Sequence, residues 1–79
     1  MIMIYKVKYI CATNTSGAKF QVTRMDDHRV CRTPYKHGVI SPVTHAVHDT
    51  FGEDPDKLAF VGFTKKGNRD EALWAIQHN

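Results

Sequence analysis

Two cysteines, three prolines and five glycines are all that this 79-residue chain holds of the residues that most constrain a backbone. Each scarcity excludes something. Cys11 and Cys31 allow at most one bridge and lack a CxxC spacing, so neither a disulfide framework nor a cysteine-based metal site is expected. No apolar stretch approaches the roughly 18 residues that a membrane span requires, so no membrane role is expected. The start, Met1 to Lys6, is a short apolar run that breaks into alternation, without a basic n-region or a small-residue cleavage site. A cytosolic protein with reduced thiols follows as the expectation. Internal repeats, low-complexity tracts and linker-like composition are missing too, and the Pro and Gly residues fall singly at element boundaries. The chain therefore reads as one domain over residues 1–79. A domain of this size buries only about 60% of the surface its unfolded chain exposes, so its stability is marginal and a homo-oligomer is expected.

What is present is alternation. From Ile2 to Cys11, Met3, Tyr5, Val7, Tyr9 and Cys11 share one side, while Ile4, Lys6, Lys8 and Ile10 share the other. Ala18 to Met25 repeats the pattern, and Asp26, Asp27 and His28 form a polar turn into a third short strand, Arg29 to Thr33, ended by Pro34. Ser41 before Pro42 supplies an N-cap hydroxyl, and Val43, Ala46, Val47 and Phe51 recur at the spacing of one helical stripe that Gly52 terminates. Leu58 to Thr64 and Leu73 to Gln77 read as a second hairpin about a turn from Lys65 to Asp70. Strand, strand, strand, helix, strand, strand defines an α+β fold: a small, mostly antiparallel sheet with one amphipathic helix on a face.

Two polar stretches stand out because a hydrophobic core has no use for them. In the first, Thr13, Asn14, Thr15 and Ser16 can bond local backbone groups and Gly17 can adopt positive φ, which suits a bulged hairpin connection. The same residues with Lys19 could instead form a nest of N–H groups and hydroxyls for a phosphate or carboxylate, although the P-loop spacing is missing. In the second, Arg32, Lys36 and His37 surround Tyr35, whose ring either stacks on a nucleotide base or covers the edge of the core. Thr13, Asn14, Thr15, Ser16, Gly17, Lys19, Arg32, Tyr35, Lys36 and His37 are thus the candidate ligand-binding residues.

Other chemistry finds less support. His45, His48 and Asp49 share a helix but lack the HExxH arrangement and flank the apolar stripe as a solvated face does, so no metal is expected. Cys11 and Cys31, on strands, read as small buried hydrophobes. The acids at 26–27 and 53–56 occupy turns, where they are solvated, and no nucleophile elbow or carboxylate pair is evident. No enzyme and no cofactor are expected. Lys6, Lys8, Lys19, Arg24, Lys65, Lys66 and Arg69, with Tyr5, Tyr9, Phe63 or Trp74 nearby, could form a basic face for nucleic acid, or could serve only to keep strand edges from pairing.

Ala12 to Thr15 with Gly17 and Ala18, then Pro34 and Tyr35 with His37 and Gly38, make the chain resemble a family of small proteins encoded by tailed phages and prophages. That family's pattern runs Y-x-V-x-Y-x-x-A-T-N-T-x-G-A-x, then P-Y-[DK]-[HY]-[GA], an amphipathic helix and a terminal hairpin. Cys11 stands where the family has an aliphatic residue or proline, and Lys36 where many members have aspartate, which favours a basic role at that site. The resemblance implies a phage origin and a compact fold, and carries over no catalytic residues. Small accessory phage proteins often act by occupying something of the host's. The expectation is a non-enzymatic module in the host cytoplasm that binds a host protein or an anionic, nucleotide-like small molecule, with a counter-defence role. The alternatives are a nucleic-acid-binding module and a virion or assembly component.

Overall fold

The computed structural model describes residues 1–78 and has the expected α+β architecture. Strands β1 (Ile2–Ile10), β2 (Lys19–Arg24) and β3 (Arg29–Pro34) precede helix α1 (Ser41–Phe51), a single 3-10 turn (Pro55–Lys57), and strands β4 (Ala59–Lys65) and β5 (Asn68–Gln77). They form one five-stranded antiparallel sheet in the order β3-β2-β1-β5-β4. The first strand is therefore the central one, and β3 and β4 are the edges.

The alternation decides which side of the sheet the helix covers. Met3, Tyr5 and Val7 of β1, Val22 of β2 and Ile76 of β5 are buried with Val43 and Val47 of α1, and these seven residues are the core. Phe20, Cys31, Phe51, Leu58 and Trp74 pack around it. The helix lies over β2 and β3. The 3-10 turn touches β5, whose Ile76 is buried, while on the same side Phe60 and Phe63 of β4 stay exposed.

Both helix ends differ in kind. The Ile40 carbonyl accepts from the N–H groups of Val43 and Thr44, so Ile40 is the N-cap and Ser41 is already helical. The expected Ser41 cap is thus not made, because the helix begins one residue earlier. At the other end Gly52 adopts φ 69°, where a side chain would be strained, and its N–H reaches the His48 carbonyl. Glu53 then donates its N–H to the Val47 carbonyl, which turns its side chain inward.

Further departures have local causes. β1 ends at Ile10, so Cys11 is exposed in the connection instead of buried on a strand; Cys31 is half-buried against the core. β5 begins at Asn68, not Leu73, and only Lys66 and Gly67 turn the hairpin. The polar residues 68–70 read as a turn, yet a strand that overhangs its neighbours can stay polar, and Asn68 Oδ1 accepts from the Asp70 N–H within it. Between Phe60 and Gly62 the pairing with β5 slips, so Val61 is an extra residue. Because of that bulge Phe60 and Phe63 face the same side, with ring centroids 5.3 Å apart.

Candidate functional site

The connection between β1 and β2 is eight residues long, since Ile10 pairs with Lys19. Thr13 donates its N–H to the Ser16 carbonyl at 2.7 Å, closing a turn at its tip, and the Ser16 hydroxyl lies 3.4 Å from the Gly17 carbonyl. Gly17 does not take the positive φ expected of it: the turn closes without that conformation, and an added Cβ would meet no atom within 4 Å. Neither backbone nor space in the protein itself demands glycine there.

Antiparallel pairing of β2 with β3 brings the end of the second polar stretch to the first. Lys19 pairs with Pro34 and Gln21 with Arg32, which puts Lys19 and Arg32 diagonally on the side of the sheet away from the helix. The Tyr35 N–H, donated to the Ala18 carbonyl at 3.0 Å, fastens the junction. Ser16, Gly17, Ala18, Lys19, Arg32, Thr33 and Pro34 line a shallow pocket of about 290 Å³. Two cations, a hydroxyl and exposed backbone in one depression suit an oxyanion.

Of the ten candidate residues, Ser16, Gly17, Lys19 and Arg32 line this pocket. Thr13, Asn14 and Thr15 are exposed at the loop tip beside it, and Lys36 and His37 are exposed past β3. Tyr35 faces the other way. Its half-buried ring packs on Tyr9 and Phe20, at 4.8 and 5.1 Å between centroids, and its hydroxyl lies 3.0 Å from His37 Nδ1. It closes the end of the core and offers no plate to the pocket.

The uncovered side of the sheet is the basic one. Lys6 and Lys8 stand on it in register with Thr23 and Gln21, continuing the line from Arg32 and Lys19. Glu71, paired with Lys8, holds its carboxyl below the ordinary range, chiefly because it accepts from the Thr64 hydroxyl at 2.7 Å and then because Lys6, Lys8 and Lys65 surround it. Arg24 does not belong to this face. It sits on the helix side, 5.1 Å over the Phe51 ring and ion-paired to Asp27, since its register partner is the buried Tyr5. Tyr5, Tyr9 and Trp74 also face the helix side, and Phe63, paired with Ala72, follows them. The strand period separates the expected aromatics from the lysines.

One polar cluster escaped the sequence. Glu53, expected to be solvated, is 9% exposed; Tyr5 donates its hydroxyl to Oε2 at 2.7 Å, and His78 Nε2 lies 2.7 Å from Oε1. Burial, and then the adjoining carboxylate, push the Tyr5 phenol well above its usual value and keep it a donor. The signal was Tyr5 itself, because a tyrosine at the centre of a core face needs a partner for its hydroxyl. Glu53 also borders a second depression with Asp54, Asp56 and His48, where the carboxylates disfavour an anion. Among the described residues no group of three or more His, Cys, Asp or Glu is placed to hold a metal, and no helix is long and apolar enough to cross a membrane.

Fold and site together define a small α+β domain with a basic, hydroxyl-lined depression at one end of its sheet. The chain matches no protein-family model, and neither curated proteins nor solved structures show a significant similarity to it.

Proposed function

We propose that this protein is a non-enzymatic binding module whose pocket between the Thr13 to Gly17 loop and the end of β3 takes a phosphorylated small ligand. The supporting observation is that Lys19 and Arg32, from two polar stretches well apart in sequence, line one depression with Ser16 and Gly17. At about 290 Å³ it lies at the lower limit of the roughly 300–1,000 Å³ usual for small-molecule sites, which suits a phosphoryl group and its immediate substituent and leaves the remainder of a nucleotide in solvent. The resemblance to small tailed-phage proteins supports a host nucleotide or a phosphate-bearing host factor as the target, with sequestration as the action.

Calorimetry with inorganic phosphate, mononucleotides and cyclic dinucleotides tests this reading. Heat is expected with at least one nucleotide, with affinity reduced about tenfold or more in Arg32→Ala through loss of charge-assisted hydrogen bonds. Gly17→Ala is expected to weaken binding while leaving the fold intact, given the open space around Gly17. The absence of heat with every member of the panel removes the proposal.

A second reading draws on the alignment of Lys6, Lys8, Lys19 and Arg32 on the uncovered side. Such a row would follow a nucleic-acid backbone through phosphate contacts, and affinity would fall steeply as salt rises. A mobility-shift titration at low salt that shows no complex with DNA or RNA removes it.

A further inference from the structure

The two edges of the sheet are finished differently. β3 presents Arg29, Arg32 and Pro34, the charges and missing donor that discourage edge pairing, with Val30 its one exposed large apolar residue. β4 presents Phe60, Val61 and Phe63, exposed to 50, 58 and 46%. The bulge at Val61 gathers Phe60 and Phe63 onto one side, where Phe60 also meets Trp74 at 5.2 Å, so the edge carries a continuous aromatic cluster. A monomer with a seven-residue core would leave unburied some of its largest apolar groups.

The charges flanking β4 indicate what covers it. Its C-terminal end carries Lys65 and Lys66, while Asp54 and Asp56 outweigh Lys57 before its N-terminal end. A strand that is acidic at one end, basic at the other and aromatic between is complementary to itself in the antiparallel sense only. Parallel pairing would set lysine against lysine. We infer that β4 is the contact strand of a two-fold dimer, in which a second copy lays its β4 antiparallel to the first. Each aromatic cluster then meets its equivalent, and each Lys65 and Lys66 end lies beside the other copy's Asp54 and Asp56. The contact is isologous and closes after two subunits, so it gives a dimer and no filament. The Lys19 and Arg32 pocket, at the opposite edge, stays open in both copies.

Sedimentation velocity across the micromolar range, with the full chain, tests the inference. The wild type is expected at twice the chain mass. Phe63→Lys is expected to raise the dissociation constant about a hundredfold, as loss of a central aromatic anchor does, with an unchanged far-ultraviolet spectrum; Phe60→Lys provides the same reading if the first variant folds poorly. Lys65→Asp with Lys66→Asp, and separately Asp54→Lys with Asp56→Lys, each weaken the dimer, and combining all four restores it. A monomer at every concentration, or a dimer indifferent to both phenylalanine substitutions, overturns the inference. Failure of the fourfold variant to recover what the double variants lose overturns the antiparallel arrangement.

Discussion

The half of the sheet formed by β3, β2 and β1 and the half formed by β5 and β4 are built from similar alternating strands, yet only the first has a helix over it. Val22, Val43 and Val47 are completely buried there, whereas Phe60 and Phe63 on the other half remain about half exposed although they are larger. Residue size and hydrophobicity therefore do not set burial in this molecule. Position relative to the 11-residue helix and the turn after it does: Ile76 of β5 lies in the core cluster and is buried, while Phe60 and Phe63 at the β4 edge are not. The helix suffices to cover two strands and the centre of the sheet, and the aromatic surface of β4 stays exposed.

The contrast is sharpest in stability. Val47→Ala is expected to cost about 2 kcal/mol in urea unfolding, from lost burial and the cavity left behind. Phe60→Ala removes more atoms but is expected to cost about 1 kcal/mol or less at concentrations where the chain is monomeric, since its principal packing is edge-on to Phe63 and Trp74. Equal losses would mean that Phe60 belongs to the core as fully as Val47 does.

Glu53 joins the halves, binding Tyr5 of the central strand and His78 beyond the end of β5. Replacing it with alanine strands the buried Tyr5 hydroxyl and is expected to cost about 1–3 kcal/mol. The double variant with Tyr5→Phe should recover part of that loss in the same unfolding assay. Full additivity of the two substitutions would show that the hydroxyl and the carboxylate act independently.

The smallest effect belongs to the turn that closes the covered edge. Arg24 holds the Asp27 carboxyl well below the ordinary range, assisted by the Arg29 N–H. A carboxyl with a lowered folded-state value stabilises fully above the ordinary aspartate range, and that contribution fades as pH falls through it toward the lowered value. Asp27→Asn is accordingly expected to lower the melting temperature slightly at neutral pH, with the difference from wild type narrowing below about pH 4. A constant difference across that interval would assign the effect to turn geometry alone.

Much of this organisation was legible in the chain. Alternation at Met3, Tyr5 and Val7 marks the buried side of β1, and Val43, Val47 and Gly52 mark the helix and its end. These readings succeed because they rest on local periods, which hold wherever the strand or helix is placed. Tyr35 and Arg24 show where that reasoning stops. Their residue types suit ligand contact, but strand register sends both to the helix side, onto Phe20 and Phe51.

By itself the sequence determined the element order, the core side of β1 and β2 and the two polar stretches with their cations, because each follows from the chemistry of near neighbours along the chain. Only the tertiary structure decided that Lys19 meets Arg32, that Glu53 is buried beneath Tyr5, and that Phe60 and Phe63 share one bare side. Those outcomes depend on register, on one bulge and on the reach of a short helix, and such quantities are set by pairing between distant segments.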